Sequence, residues 1–348
     1  MLKAVEWKQH RLFIVDQSKL PARVTKTPCR SAQQVVEAIR SRRLCGASAL
    51  GVAAGFAVYL GVIQKPMAKT HDKLLQQINK LCELLAKSQP TSMNLLWALE
   101  RMKRCAQNNR DHKLNTLRDI LLREALNIQR EEDKVTKAIS GYGPEMIRDG
   151  DTILTCGNTG ALSSGGSGTA LGMIKEASAA RRDLHVLLCE SRPGLYGARQ
   201  AAMELKQAKI PFQLITDNMA AYLMKKGMID VLLVGAERIT MNGDVAAEIG
   251  TYSLALSAYY HNLSCYVAAP VSAFDRNLLT GDLVPIEERH PEELFWCNGK
   301  SGAKSTIKAF YPAFDVTPHK YISALITELG VVRAPYDQNL RNLLATMG

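Results

Sequence analysis

The segment from Gly150 to Gly172 is the part of the chain whose residue types and spacing point most directly to chemistry. Residues 152–155 predict a short apolar strand, and a helix is predicted to begin near Thr169. Between them, glycine stands at positions 157, 160, 165, 166 and 168. A strand, a glycine-rich loop and a helix place backbone N–H groups and a positive helix end beside a bound anion. The spacing fits neither the dinucleotide fingerprint nor the P-loop, so a βα turn without a ligand remains an alternative.

Composition and charge exclude several classes of protein. The chain has 348 residues, with 47% apolar residues and a net charge of +11. The basic residues form no long run and carry no interleaved aromatic ladder, so we expect a solvated surface rather than a nucleic-acid site. The 8 cysteines and 7 histidines are dispersed. This dispersion predicts free thiols, a cytoplasmic location, and neither a metal site nor a cofactor held by such ligands. No apolar run is long enough to predict a membrane span or a secretion signal.

The elements that must position the glycine-rich segment divide into two halves. Residues 4–15 predict a β-hairpin, and residues 16–30 a connector without strands. Five helices are predicted next: one with Ser31 as its N-cap, a small-residue apolar helix over 47–60, a helix with a clear apolar stripe over 70–87, and two more over 94–105 and 115–140. Residues 1–140 are therefore predicted to form a small N-terminal β-hairpin and helical domain.

Residues 141–348 predict an α/β domain of the Rossmann-like type, with a parallel sheet covered on both faces. Ligands of such sheets bind outside the carboxyl ends of the strands. Helices are expected between the strands, among them 197–208 and 246–261. The strands are predicted at 152–155, 185–189, 212–216, 231–235, 264–269 and 330–333.

Six short segments stand out, in order along almost the whole chain. They are 94–102 (NLLWALERM), 234–244 (VGAERITMNGD), 249–252 (IGTY), 266–270 (YVAAP) with Phe274 and Asp275, 285–289 (PIEER) and 312–318 (PAFDVTP). Together they resemble the methylthioribose-1-phosphate isomerase family, which is related to the regulatory subunits of translation initiation factor 2B.

The resemblance implies the isomerisation of an aldose 1-phosphate to a ketose 1-phosphate in the methionine salvage lineage. It also implies a homodimer and an acid–base pair made of a cysteine and an aspartate, without a metal or a cofactor. On this sequence the catalytic candidates are Glu237 and Cys156. The substrate-binding candidates are Gly46, Ala47, Gly157, Asn158, Gly160, Arg192, Tyr196, Ala247 and Glu248.

The departures from the family pattern are concentrated at these positions. Gly157 stands where the family has its catalytic cysteine, and Glu237 where it has its aspartate. Cys45 and Gln89 replace two arginines, Tyr196 replaces a glutamine, and Ala247 with Glu248 replaces an Asn-Lys pair. Since each charge-assisted hydrogen bond contributes about 1.5–3 kcal/mol, these changes should weaken phosphate binding by several kcal/mol.

We therefore hypothesise an isomerase-like protein that has lost or exchanged the parental activity, and whose ligand is a sugar phosphate or a less anionic analogue. Two alternatives stay open. One is an active S-methyl-5-thioribose-1-phosphate isomerase that uses Glu237 and Cys156; the other is a regulatory binding protein like initiation factor 2B. Cys156 is either a substitute thiol or a buried inert cysteine, and Glu237 either a base or a local structural partner.

Overall fold

A three-stranded antiparallel sheet begins the chain in the computed structural model, which describes residues 2–64, 66–180, 183–297, 300–301 and 308–345. Its strands are β1 (Val5–Lys8), β2 (Arg11–Val15) and β3 (Lys26–Cys29), in that order. The turn of the hairpin has positive φ at Gln9 and His10, as expected for a two-residue β-turn. The predicted hairpin is confirmed, but the strand-free connector was wrong. The third strand (KTPC) has only one fully buried side chain, so it carries almost no apolar alternation.

Five long helices follow, and they form the first hydrophobic core. They are α1 (Ala32–Arg40), α2 (Ala47–Ile63), α3 (His71–Ala86), α4 (Met93–Asn108) and α5 (Leu114–Gly141), and the short α6 (Gly143–Met146) comes next. Ser31 caps α1 and accepts a hydrogen bond from the Gln34 amide at 3.3 Å, as predicted. The α2 helix is buried on almost every side and packs against α4 and α5. The division into two domains near residue 140 stays a prediction.

A seven-stranded sheet occupies the second half of the chain. In chain order, the strands of this half are β4 (Thr152–Cys156), β5 (His185–Glu190), β6 (Phe212–Thr216), β7 (Val231–Gly235), β8 (Arg238–Ile239), β9 (Val245–Glu248), β10 (Ser264–Ala268), β11 (Trp296–Cys297), β12 (Lys300–Ser301), β13 (Phe314–Thr317), β14 (Ala324–Thr327) and β15 (Gly330–Val332). The helices are α7 (Ala170–Ala179), α8 (Ala202–Ala208), α9 (Ala220–Lys225), α10 (Thr251–Tyr260) and α11 (Tyr336–Ala345).

The large sheet has the order β15-β14-β10-β7-β4-β5-β6 and is parallel except for β15, which confirms the α/β class. Hydrophobic clusters cover both of its faces. The strand β14 was not predicted, and the predicted strand at 330–333 is an antiparallel edge strand. Within the described ranges, no helix is both long and apolar enough to cross a bilayer.

The predicted helix 246–261 was wrong in its first part. Val245–Glu248 forms β9, which pairs with β8 and β13 in a separate three-stranded sheet. Gly250 then adopts φ 102°, and α10 begins only at Thr251. The alanines at 246 and 247 are good helix formers, but strand pairing on both sides determines the observed conformation. This correction matters because it places Glu248 at the end of β9, close to Gly157, the residue that follows β4.

Candidate functional site

A cavity of about 80 Å³ lies at the carboxyl ends of β4 and β7, where a parallel sheet of this kind is expected to bind ligands. The N-terminus of α2 and the end of β9 close it from the other side. Its lining includes the predicted candidates Gly46, Ala47, Cys156, Gly157, Asn158, Tyr196, Glu237, Ala247 and Glu248, together with Arg42, Cys45, Gln89 and small polar residues of the glycine-rich loop.

Several N–H groups in the second part of the glycine-rich loop, from Ala161 onward, donate to acceptors within the protein. Buried Glu204 accepts from the amides of Ala161 (2.9 Å) and Leu162 (3.2 Å). The Ser164 hydroxyl accepts from the amides of Gly166 (3.2 Å) and Gly168 (3.1 Å). Ser163, Ser167 and Thr169 also donate to protein acceptors. These hydrogen bonds stabilise the conformation of the loop. The amides that make them are therefore not available to bind a phosphate.

Two of the predicted binding residues lie outside the cavity lining. A Cβ at Gly160 would come 2.2 Å from Glu204 Oε1, so this glycine makes room for the carboxylate that holds the loop. Arg192 donates to the carbonyl of Glu293 at 3.3 Å. Arg199, seven residues further along, donates to the carbonyl of Leu20 at 3.1 Å. Both arginines therefore have a structural role, since each binds a backbone carbonyl of a segment distant in sequence.

Arg42 is a site residue that the sequence analysis missed. Among the described residues that line the cavity, it has the only cationic side chain. Its Nη1 donates to the hydroxyl of buried Tyr196 at 2.7 Å, and its Nη2 lies 3.9 Å from Glu287 Oε1. The signal was its position, three residues before the Cys45-Gly46-Ala47 segment that the resemblance had singled out. The cation is thus already engaged by a phenol and a carboxylate.

The carboxylate of Glu248 lies over Gly157. A Cβ added to Gly157, which has φ 86°, would stand 3.2 Å from Glu248 Oε2. Both carboxylate oxygens are buried without a hydrogen bond of good geometry from the described residues, and the Gly194 amide offsets only part of the rise in the Glu248 pKa that burial causes. Burial, and then the nearby Cys156, raise the pKa of Glu248 well above its ordinary value. The carboxyl group of Glu248 therefore borders the space that a side chain at position 157 would occupy.

Glu237 is the second acidic group of the cavity. It follows β7, it is buried, and its Oε1 accepts from Gln89 Nε2 at a long 3.4 Å. Burial is the main cause that raises the pKa of Glu237 to about 7, and Glu287 adds to the effect. A carboxyl group that titrates near neutral pH can both give and take a proton under working conditions.

Cys156 lines the cavity, but its thiol is engaged on the sheet side. Its Sγ donates to the Ser191 hydroxyl at 3.5 Å. A hydrogen bond with Cys189 and then burial raise the pKa of the Cys156 thiol well above its ordinary value. Because the thiolate is the reactive form, a raised pKa makes this cysteine a poor nucleophile and base. Within the described ranges, no group of three or more His, Cys, Asp and Glu side chains could hold a metal ion.

Comparison with known proteins gives the ancestry of this arrangement. Residues 43–334 match the model of the initiation factor 2 subunit family. A protein of Geotalea uraniireducens (strain Rf4) named methylthioribose-1-phosphate isomerase is 44% identical over 342 residues, which cover 98% of this chain and 99% of that one. The chain belongs to the methylthioribose-1-phosphate isomerase family. A Thermotoga maritima relative with the same name is also 44% identical, and the match covers 98% of each chain.

Solved structures of this family share the fold. The crystal structure of 5-methylthioribose 1-phosphate isomerase from Pyrococcus horikoshii OT3 superposes with a TM-score of 0.87 at 36% identity, covering 99% of this chain and 96% of that one. A structure titled translation initiation factor eIF-2B, subunit delta, from A. fulgidus has a TM-score of 0.82 at 35% identity, covering 99% of this chain and 100% of that one. Enzymes and proteins named as initiation factors therefore occur on one scaffold, and the side chains of the cavity must distinguish them.

Proposed function

We propose that this member of the methylthioribose-1-phosphate isomerase family binds a small polar molecule less anionic than a sugar phosphate, and that it has lost most or all of the parental isomerase activity. The observation that carries the proposal is that the described lining of the cavity has two carboxyl groups and only one cationic side chain. The carboxyl groups of Glu237 and Glu248 line it, and the guanidinium of Arg42 already contacts Tyr196 and Glu287.

A phosphate dianion would be bound poorly by this set of groups. Phosphate sites use arginine, lysine and free backbone N–H groups. Here Cys45 and Gln89 stand where the family pattern has arginines, and Glu248 where it has a lysine. A carboxylate close to a phosphate repels it, and an ionised phosphate would hold Glu248 and Glu237 in their protonated forms.

The acid–base chemistry is altered as well. Gly157 has no side chain with which to move a proton, and the Cys156 thiol donates to Ser191. Glu237 retains a carboxyl group with a pKa of about 7, so one suitable proton-transfer group remains. The hydrogen transfer from C2 to C1 that the family performs requires at least one further acid or base at the correct place.

A coupled isomerase assay with methylthioribose 1-phosphate tests the proposal. We expect turnover at least roughly a thousandfold below that of the Thermotoga maritima relative, measured in parallel, because a missing acid–base group alone reduces rates by about 10²–10⁴. A variant that combines Cys45→Arg, Gln89→Arg, Gly157→Cys, Glu237→Asp and Glu248→Lys should regain measurable turnover. Wild-type turnover comparable to that of the relative would overturn the proposal.

The second candidate is an active S-methyl-5-thioribose-1-phosphate isomerase. The identity of 44% over 98% of the chain to proteins that carry this name favours it. In that case Glu237 would serve as one proton-transfer group, and the Glu237→Gln substitution would abolish turnover. The assay above separates the two candidates without a structure of the complex.

A further inference from the structure

We infer that the ligand of this cavity carries a positively charged nitrogen, such as a protonated amine, and that Glu248 is the group that binds it. This inference rests on the proposed function, since it concerns the same cavity, and it adds the chemical class of the ligand. It is drawn from the position of one carboxylate and from the groups around it.

The first step concerns the unused hydrogen-bonding capacity of Glu248. Both of its carboxylate oxygens are buried without a hydrogen bond of good geometry from the described residues, and burial raises the pKa of Glu248 by more than the Gly194 amide lowers it. A buried carboxylate without a partner costs several kcal/mol, and folded proteins rarely keep such a group unless a ligand or a proton completes it. The side chain lies on the cavity wall, so a ligand in the cavity can reach it.

The second step is that the space beside this carboxylate is clear. Gly157, with its positive φ, leaves the volume next to Glu248 Oε2 free of a side chain. Asn158, the next residue, also lines the cavity, and its Nδ2 has no hydrogen-bond partner among the described residues. The same cavity therefore contains a carboxyl group and an amide donor that are both available to a ligand. A polyol or sugar that bears an amine has complementary groups for both.

The third step concerns the charges of the groups that surround Glu248, which determine whether a cationic nitrogen can bind there. The ionisable groups that act on Glu248 are Arg42 before α2, Cys156 at the end of β4, Glu190 at the end of β5, and Tyr196 after it. Two of the four, the thiol and the phenol, are neutral near pH 7 because their pKa values are raised. Glu190 opposes the charge of Arg42, whereas Glu287, 3.9 Å from Arg42, forms its closer ion pair with Arg289 at 2.7 Å. A cation on the ligand would therefore be balanced by the ionised carboxylate of Glu248 itself.

The protonation state of Glu248 provides a readout that is separate from affinity. Burial raises the pKa of Glu248, so the empty site favours the protonated carboxyl over the ionised one. A bound cation favours the ionised form, so cation binding should release a proton to the buffer. A neutral ligand would leave the proton in place.

The experiment uses three matched polyols on the full-length chain: ribitol, 1-amino-1-deoxyribitol and ribitol 5-phosphate. Isothermal titration calorimetry at pH 7 in buffers of different ionisation enthalpy gives both affinity and proton release. We expect the amine to bind at least tenfold more tightly than ribitol and to release protons to the buffer, which ribitol should not do. Glu248→Gln, which keeps the shape and a hydrogen-bonding amide, should remove both the preference and the release. Glu176→Gln, at an exposed position on α7, is the control and should change neither.

The outcomes separate this inference from the proposal on which it rests. If ribitol binds better than its phosphate but the amine gains nothing, the inference is wrong and the proposed function stands. If the phosphate binds best, both are wrong. An amine preference that survives in Glu248→Gln, or no detectable binding of the amine, also overturns the inference. Circular dichroism and thermal melting establish that each variant is folded before its binding is interpreted.

Discussion

At the scale of single residues, the cavity is defined by carboxyl groups that burial keeps close to neutrality. Glu237 and Glu248 line the same space, and both have raised pKa values. The resemblance identified these two positions as departures from the family pattern. It could not predict that the Glu248 carboxylate would lie over Gly157, because this contact depends on the pairing of β9 with β13, where a helix had been expected. Arg42 was missed for a similar reason, since only the folded chain shows its contact with Tyr196.

The first prediction at this scale concerns Glu237 and pH. Its pKa is 4.5 in the reference state and about 7 when folded, so the folded state binds the proton more tightly. Its contribution to stability is therefore fully present below pH 4.5 and is lost as pH rises toward 7. At 1.36 kcal/mol per pKa unit the loss is on the order of 3 kcal/mol.

Urea unfolding of wild type and Glu237→Gln across pH 4.5–8 measures this effect. The difference in unfolding free energy between the two should change in favour of the variant as pH rises, because glutamine does not ionise. Glu132, whose pKa burial also raises to about 7, is present in both proteins and cancels in the difference. A pH-independent difference would show that Glu237 ionises as easily in the folded chain as in the unfolded one.

At the scale of elements, helix α8 stabilises the glycine-rich loop through one buried carboxylate. Glu204 of α8 accepts from the amides of Ala161 and Leu162 and forms an ion pair with Lys175 of α7. The carboxylate is buried, so its removal leaves two buried N–H groups and one cation without their partner. Breaking a buried pair in this way typically costs about 3–5 kcal/mol.

We therefore expect Glu204→Ala to lower the free energy of unfolding by several kcal/mol, measured by urea denaturation at pH 7. Glu176→Ala, on the exposed face of α7, should stay within about 0.5 kcal/mol of wild type. Hydrogen exchange of the Ala161 and Leu162 amides should accelerate in Glu204→Ala. Unchanged protection of these amides would mean that the loop is held by other contacts.

The sequence predicted most elements of the large sheet because each combines a short β-branched stretch with polar residues at its carboxyl end. The strands β6 and β7 have the predicted bounds. It failed where pairing partners overrule local preference, as in β9, and where a strand carries little apolar signal, as in β3. The sequence also did not predict that Glu204 would accept hydrogen bonds from the loop amides. That residue lies about 40 positions further along the chain, so no local pattern connects it with the loop.

At the scale of the whole molecule, α9 and α10 expose aromatic and apolar side chains that we expect another protein surface to cover. Tyr222, Leu256, Tyr259 and Tyr260 are 60%, 41%, 60% and 80% exposed, and the Tyr259 ring packs edge-on against Tyr321 at 5.3 Å. Contiguous exposed apolar surface of this kind usually marks a protein interface. We propose that a second copy of the chain covers it, which agrees with the homodimer implied by the family resemblance.

Light scattering after size exclusion tests this prediction. Wild type should elute with about twice the 38.3 kDa mass of one chain, and the double substitution Leu256→Asp with Tyr260→Asp should reduce the mass to that of one chain. Charged side chains in the centre of an apolar interface are costly because they lose their hydration without gaining a partner. Val24→Asp, which places the same charge on an apolar side chain that is 49% exposed elsewhere, should leave the dimer intact. A monomeric wild type would contradict the prediction that this chain forms a dimer. A dimer that persists with both aspartates would show that the interface lies on a different surface.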